Sequence, residues 1–245
     1  MIDYHCHLLS GIDDGPATIE ESIEMAIALH KAGFRTIYCT PHLLKGHYDA
    51  DNKEVLSAIS HLRKMISENN ISLEIYPGRE YYLDEFIGHH LKYPLPLGKT
   101  KYIMIEIPNY APSKYVKEAC FRIKCAGFIP MIAHPERCRH FAANQKPKRS
   151  FFSFRSRSKI SEVIAKRIEL IHYLKNIGCA FQGNLGSFYS IYGHEVKETA
   201  YYLKENKIFT HYGTDAHSLK SIHLIAQLAS DEKKKLRIGD KLRKA

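Results

Sequence analysis

The sequence predicts an α/β protein built on a parallel sheet or barrel, and three observations carry that prediction. Strand-like and helix-like segments alternate about seven times along the chain, the pattern of parallel strands joined by crossover helices. Nearly every expected strand ends in a side chain able to bind a cation: His5 and His7, His42, Glu80, Glu106, His134, Gln182 and Asn184, Asp215 and His217. In parallel α/β folds these carboxyl ends open on one face, where the chemistry sits. The 245 residues are 44% hydrophobic and 25% charged, enough apolar matter for a sizeable core in one barrel-sized unit.

The first strand is the short apolar run Ile2-Asp3-Tyr4-His5-Cys6-His7. Side chains alternate along a strand, so His5 and His7 point the same way and Cys6 points the other way, into packing. Asp13 to Pro16 is a turn by composition. Thr18 with Glu21 forms a capping-box signature, and Ile19, Ile23, Ala26, Ile27 and Leu29 mark an amphipathic helix that stops at Gly33. A buried strand is expected over Phe34–Cys39, leading into Thr40-Pro41-His42. Residues 51–69 read as a helix, Ile71–Tyr76 as a strand running into Pro77-Gly78-Arg79-Glu80, and 81–98 as a mixed segment with a short helix near Asp84–His90. Tyr102–Ile107 is a strand containing Glu106, 113–126 a helix closed by Gly127, and Phe128–Ala133 a strand leading into His134-Pro135-Glu136-Arg137. A helix over 161–176, a short strand Cys179–Phe181, a helix over 194–205, a strand Ile208–Tyr212 and a helix from Ser218 to Ala229 complete the series.

Charge and cysteine usage exclude several classes. The formal net charge is +10, but it is concentrated in residues 146–159 and 233–245. Residues 146–159 hold six Lys/Arg and no acid, and 233–245 hold seven Lys/Arg and one Asp. The rest of the chain is close to neutral, which argues against the basic groove a nuclease wants. Residues 1–230 are therefore expected to form the folded unit, with 146–159 as a basic insert and 231–245 as a basic tail. The N-terminus has no basic segment followed by an apolar one, and no apolar run is long enough to span a bilayer. The six cysteines have no paired spacing, as expected of reduced thiols in the cytoplasm.

A lone His-x-His is a weak signal; eight imidazoles and carboxylates at strand ends are a strong one. The set is His5, His7, His42, Glu80, Glu106, His134, Asp215 and His217, with Gln182 and Asn184 at the same face. Imidazole and carboxylate without cysteine favour zinc, manganese or iron, and this many donors can hold two or three ions. Clustered ions polarise a phosphoryl or carbonyl oxygen and activate water, so the expected reaction is metal-assisted hydrolysis. Arg137, three residues after His134, suits phosphate binding; the bland alternative is an arginine paired with Glu136. No cysteine is followed by arginine at the spacing of a cysteine-nucleophile phosphatase, so the expected nucleophile is metal-bound water.

His5-Cys6-His7, Gly11-Ile12-Asp13-Asp14-Gly15, Thr40-Pro41-His42, Glu80, Glu106, His134-Pro135-Glu136-Arg137 and Asp215-Ala216-His217 together resemble the polymerase-and-histidinol-phosphatase (PHP) family. More closely, they resemble its bacterial protein-tyrosine phosphatase branch, associated with capsule and exopolysaccharide synthesis, from Met1 to about Leu228. The resemblance implies a distorted (β/α)7 barrel with a trinuclear centre, usually of manganese. It implies hydrolysis of phosphotyrosine on a membrane-associated tyrosine autokinase that controls polysaccharide export. By the same resemblance His5, His7, Glu106 and Asp215 hold one ion. Glu80, Glu106 and His134 serve others with Glu106 bridging, and Asp14, His42 and His217 complete the set. Arg137 clamps the phosphate, and His42 or Asp14 is the candidate proton donor.

Three features depart from the pattern. Ser218-Leu219-Lys220-Ser221-Ile222 carries Lys220 where the family often has a second arginine. Leu43-Leu44-Lys45-Gly46 is more apolar than expected. The insert mixes Phe151, Phe152 and Phe154 with basic residues, a composition suited to an anionic membrane surface, to RNA or to a plain solvated loop. Rival readings are a small-molecule phosphatase of the histidinol-phosphate type and a non-catalytic metal-binding adaptor.

Overall fold

Among the described residues every strand is parallel to its neighbours, and the hydrogen-bond register defines two sheets. The computed structural model describes residues 1–142 and 168–228. The basic insert expected over 146–159, the start of the helix expected over 161–176 and the basic tail expected over 231–245 lie outside the described residues. The smaller sheet has the order β1 (Ile2–Cys6), β2 (Thr36–Cys39), β4 (Glu74–Pro77). The larger has the order β3 (His42–Leu43), β5 (Glu80–Tyr82), β6 (Tyr102–Glu106), β7 (Ile129–Ala133), β8 (Ala180–Asn184), β9 (His211–Gly213).

The sheets are two parts of one arrangement. β2 and β3 are successive lengths of one line, interrupted at Thr40-Pro41, and β4 and β5 of another, interrupted at Gly78-Arg79. Proline has no N–H to give a ladder, which suits it to such a break. The Thr40 N–H still donates to Cys6 O at 2.9 Å and the Glu80 N–H to Pro41 O at 3.1 Å, so neighbours stay in step across the breaks. With each broken line taken once, seven strand positions follow one another, as the alternation predicted. The last adjoins the first: Cys6 bridges to Ala216, His7 N–H donates to Ala216 O at 3.0 Å, and Asp215 N–H donates to His5 O at 2.7 Å. This is a distorted, interrupted form of the seven-stranded parallel barrel.

The helices are α1 (Ile19–Lys31), α2 (Asn52–Glu68), the short α3 (Ile87–His90), α4 (Ser113–Cys125), α5 (168–176), α6 (His194–Glu205) and α7 (219–228). Thr18 caps α1, its Oγ1 accepting the Glu21 N–H, but Glu21 reaches back to the Ala17 N–H rather than to Thr18. The full reciprocal box is at α2, between Asp51 and Glu54.

One recurrent device explains why several strands start later than the apolar runs suggested. Phe34, Ile71, Phe128, Cys179 and Ile208 each donate their N–H to the residue five earlier, Leu29, Ile66, Ile123, Leu174 and Leu203. The residue before each has positive φ: Gly33, Asn70, Gly127, Gly178 and Lys207. This is the Schellman closure, in which the apolar residue after the turn packs on the helix it has left. The strand therefore begins beyond it, at Thr36, Glu74 and His211 rather than at Phe34, Ile71 and Ile208. β8 runs on through Gln182 to Asn184, and β3 and β5 are strands where loops were expected.

The helices pack outside the strands. Leu29, Ile37, Ile59, Leu62 and Ile75 form one core, and Ile105, Ile132, Phe181, Leu174 and Leu203 belong to another. Cys6 is buried in the first, on the face away from His5 and His7, as alternation required.

Candidate metal centre

Nine expected donors converge where the strands end, and their environments follow from the elements that carry them. His5 and His7 leave β1 with their Nε2 atoms 3.0 Å apart. Glu80, the first residue of β5, places Oε2 at 3.1 Å from His5 Nε2, 3.3 Å from His7 Nε2 and 3.1 Å from His42 Nδ1. Its Oε1 lies 2.9 Å from His134 Nε2, just beyond β7. Asp215, just beyond β9, places Oδ1 at 3.3 Å from His5 Nε2 and 3.4 Å from His7 Nε2. Glu106, at the end of β6, comes within 4.0 Å of His42 Nδ1. Toward solvent, Asp14 Oδ1 stands 3.4 Å from His217 Nε2 and 3.7 Å from His42 Nε2, and the His7 and His217 rings stack with centroids 3.8 Å apart.

Three donor groups are compact enough to hold an ion, with their donor atoms within 4.8 Å of one another: His5, His7, Glu80 and Asp215; His42, Glu80 and Glu106; and His7, Asp14, His42 and His217. The grouping differs from the one implied by resemblance. Glu80, fully buried at the centre, is shared between two groups, whereas Glu106 lies with His42 and is the more exposed carboxylate.

The chemistry of the donor set fits a divalent cation. Converging lone pairs and carboxylates are costly in a buried site unless positive charge joins them. In the metal-free protein, protons supply that charge. Burial works to lower the pKa of His5, but Glu80 and Asp215 outweigh it and raise it to about 9. His7 is likewise raised, burial being outweighed by Asp13, Asp215 and Glu80. Glu106 is pushed up to about 8, first by burial and then by the Glu80 charge. Burial of Glu80 and Asp215 is outweighed by the surrounding histidines, which hold both carboxyls low.

Two of these residues hold backbone angles that L-residues rarely adopt: φ is 27° at His134 and 52° at Asp215. Such strain persists only where neighbours hold it, and it concentrates at functional sites. The His134 N–H is fixed on Gln182 Oε1 at 3.2 Å and the Asp215 N–H on His5 O.

A cavity of about 220 Å³ opens over the cluster, lined by Asp14, His42, Glu106, His134, Arg137, Tyr192, Asp215 and His217. Arg137 Nη1 pairs with Asp215 Oδ2 at 2.5 Å, not with Glu136, and its guanidinium stacks on the Tyr192 ring at 4.6 Å. Burial would lower its pKa, but Asp215 and the other acidic neighbours raise it. Glu136 instead turns inward, accepting from the Asn184 N–H at 2.8 Å and Ser187 Oγ at 2.7 Å. Lys220 is exposed and does not line the cavity.

Gln182 and Asn184, expected at a strand end as cation donors, and Asp13 of the acidic pair act instead as supports, and Asp3 joins them. Asp13, not only Asp14, matters: its Oδ2 accepts from His7 Nδ1 at 2.6 Å and from the His42 N–H at 2.9 Å. Gln182 Oε1 lies 2.8 Å from His5 Nδ1. Asn184 both caps the turn at Gly186 and donates to Asp215 Oδ2 at 2.9 Å. Asp3 takes Thr214 N–H at 2.9 Å and Thr214 Oγ1 at 2.6 Å, joining β1 to the chain after β9. The Gly-Ile-Asp-Asp-Gly motif gains a reason: a Cβ on Gly15 would stand 2.6 Å from His7 O.

The family model for capsular polysaccharide synthesis, CpsB/CapC, matches residues 1–151. The tyrosine-protein phosphatase YwqE of Bacillus subtilis is 32% identical over 231 residues, covering 94% of this chain and 82% of that protein. The tyrosine-protein phosphatase CpsB of Streptococcus agalactiae is 27% identical over 228 residues, 89% of this chain and 84% of its own. Among solved structures, one from work on YwqE of Bacillus subtilis and CpsB of Streptococcus pneumoniae, described as unique metal-dependent tyrosine phosphatases, superposes with a TM-score of 0.74. It has 33% identity and covers 91% of this chain and 81% of that one. The histidinol phosphate phosphatase of Lactococcus lactis shares the fold, with a TM-score of 0.52, 12% identity and 93% of each chain covered.

Proposed function

The chain belongs to the CpsB/CapC capsular polysaccharide synthesis family, and from that premise we propose that it is a metal-dependent protein-tyrosine phosphatase acting at the cluster described above. The observation that carries the reading is a cavity that brings six metal-donor side chains together with Arg137, over a floor where His5, His7 and Glu80 complete the donor groups. Its relatives are tyrosine-protein phosphatases by name, and the solved relative is metal-dependent.

The residues that would hold the ions are His5, His7, Glu80 and Asp215; His42, Glu80 and Glu106, with His134 on the second Glu80 oxygen; and His7, Asp14, His42 and His217. Manganese is the proposed metal, with iron and zinc compatible with the same oxygen and nitrogen donors. Bound there, divalent ions supply Lewis-acid polarisation of phosphoryl oxygens and a nucleophile from water at neutral pH. Arg137, locked between Asp215 and the Tyr192 ring, presents its remaining N–H groups to the phosphate from one side. Tyr192, beside Arg137 in the cavity lining, gives an aromatic wall suited to a phenyl ring, and Tyr48 stacks on the lining residue His42 with ring centroids 5.6 Å apart. The departing tyrosinate, with a pKa near about 10, needs little acid help. Asp14, whose side chain is 47% exposed, and His42, 3.7 Å from it, are the proposed donors of that proton.

The substrate we propose is a phosphotyrosyl protein, a membrane-associated tyrosine autokinase controlling polysaccharide export. The place of action is the cytoplasm at the inner face of the membrane; among the described residues no helix is long and apolar enough to cross one. The test is the hydrolysis rate of phosphotyrosyl against phosphoseryl peptide and histidinol phosphate. Each is run with manganese and with chelator, for wild type and His134→Ala. Manganese-dependent, tyrosine-selective turnover lost in the variant supports the reading. Metal binding with turnover of histidinol phosphate alone overturns the protein-phosphatase assignment and keeps the metal centre.

A further inference from the structure

A second pocket of about 420 Å³ opens on the outer side of β3 and β5, the face of those strands away from the cluster. Its lining includes Arg79 and Leu43, immediate neighbours of Glu80 and His42. Alternation explains the placement: Glu80 turns into the cluster, so Arg79 and Tyr81 turn away from it.

Arg79 is fully buried. One guanidinium nitrogen, Nη2, donates to Ala50 O, while Nε and Nη1 have no partner among the described residues. His90, in the same lining, also has its Nε2 buried without a partner. The two aspartates of the lining do not answer this need. Asp49 is taken by Lys45 at 3.3 Å and the Gly46 N–H at 2.8 Å, and Asp51 by the N–H groups of Lys53 and Glu54. A buried cation with unmet donors is costly, and the cost falls when an anion supplies the missing acceptors. The rim is aromatic: Phe86 is 40% and Tyr93 85% exposed. Lys45 stands beside them.

We propose that this pocket receives an acidic side chain, Asp or Glu, of the protein substrate, close in sequence to the phosphotyrosine. A carboxylate meets Arg79 and His90 at the floor, and the stem that carries it packs on Phe86 and Tyr93. The volume is that of a ligand pocket rather than of a lone small anion, which favours a side chain with its backbone. This inference rests on the phosphatase reading, and its test separates the two.

Matched phosphotyrosyl peptides carrying either glutamates or glutamines beside the phosphotyrosine are compared by kcat/KM. The proteins are manganese-loaded wild type, Arg79→Gln, Tyr93→Ala and, as a remote surface control, Lys64→Gln. Wild type is expected to prefer the glutamate peptide about tenfold, through KM, as one charge-assisted contact allows. Arg79→Gln brings the ratio near one, Tyr93→Ala reduces it, and Lys64→Gln keeps it. A wild-type ratio near one, or a preference that survives in Arg79→Gln, overturns the pocket. Tyr93 is exposed, so its variant folds and decides the case if Arg79→Gln does not: an unchanged ratio there also overturns it. If wild type hydrolyses neither peptide, the phosphatase reading falls. Titration with the unphosphorylated glutamate peptide then decides the pocket: binding to wild type weakened in Tyr93→Ala supports it, and no binding overturns it.

Discussion

Replacing Asp13 by Asn should separate a residue that aims a ligand from the ligands themselves. The Asp13 carboxylate accepts from three donors: His7 Nδ1 at 2.6 Å, the His42 N–H at 2.9 Å and the Gly15 N–H at 3.0 Å. Burial would raise its pKa, but His7 outweighs burial and the group sits at about 2, so it is a charged acceptor at neutral pH. Asn keeps the shape but offers one acceptor and one donor. Whichever way it turns, its NH2 faces an N–H that the carboxylate satisfied. An unmet buried donor costs about 1–3 kcal/mol. Loss of a carboxylate behind a metal-binding imidazole typically costs about 10–100-fold in metal affinity. The expected Asp13→Asn protein therefore binds manganese about 10–100-fold more weakly by calorimetric titration. Its turnover of a phosphotyrosyl peptide recovers most of the wild-type kcat when metal is in excess. His7→Ala, which deletes a donor, should not be rescued. An Asp13→Asn protein that binds manganese as tightly as wild type would refute the claim that this contact aims His7.

Three further outcomes follow from the same geometry. Arg137→Lys keeps the charge but loses the fork and the stacking on Tyr192, so KM for phosphotyrosyl peptide should rise about tenfold, and Arg137→Ala should lower kcat/KM about 100-fold; steady-state kinetics showing both variants at wild-type KM would remove Arg137 from phosphate binding. Because the metal-free site holds protons on His5, raised to about 9, and on Glu106, raised to about 8, metal must displace them, so manganese affinity should strengthen as pH rises from 6 to 8 and level off above about 9; titrations at several pH values showing constant affinity and no proton release would contradict this. Gly213→Ala would place a Cβ 2.6 Å from His5 Cβ and 2.7 Å from His5 N, forcing β1 from β9 at a cost of about 1–3 kcal/mol, read as a thermal midpoint several degrees lower together with weakened metal binding.

The donors were legible in the sequence because strand-to-helix alternation sorts residues by face, and imidazoles and carboxylates at successive strand ends have no simpler explanation. Their supports were not. Asp13 and Asp14 lie in a turn without periodicity, so nothing in the spacing says that Asp13 lies behind His7 while Asp14 stands at the mouth. Gln182 reads from the sequence as a strand-end donor, and its role behind His5 shows only when β8 brings its Oε1 there, 177 positions away in the chain. Tyr192 follows a short turn of 3-10 helix, Leu185–Tyr189, where no period-two or helical pattern marks a face. Strand starts were misplaced for a related reason: Phe34, Ile71 and Ile208 are as apolar as strand residues, but their N–H groups are committed to the preceding helices.

The metal centre and the fold are tied through charge. Asp14, Glu80, Glu106 and Asp215 bring four carboxylates to the cavity and its floor, with Asp13 directly behind, and Arg137 is the one guanidinium in the cavity lining. Histidine protons balance part of that excess without metal, at the cost of holding buried imidazoles charged. The same histidines and carboxylates join β1 to β5 and β9, and β5 to β7: His5 to Glu80, Asp215 to His5, and His134 to Glu80. The strand lines of β2/β3 and β4/β5 are interrupted at Thr40-Pro41 and Gly78-Arg79, close to His42 and Glu80. Ions bound here would act as cross-links between strands carrying the donors. Metal occupancy should accordingly raise the stability of the protein as well as enable its chemistry.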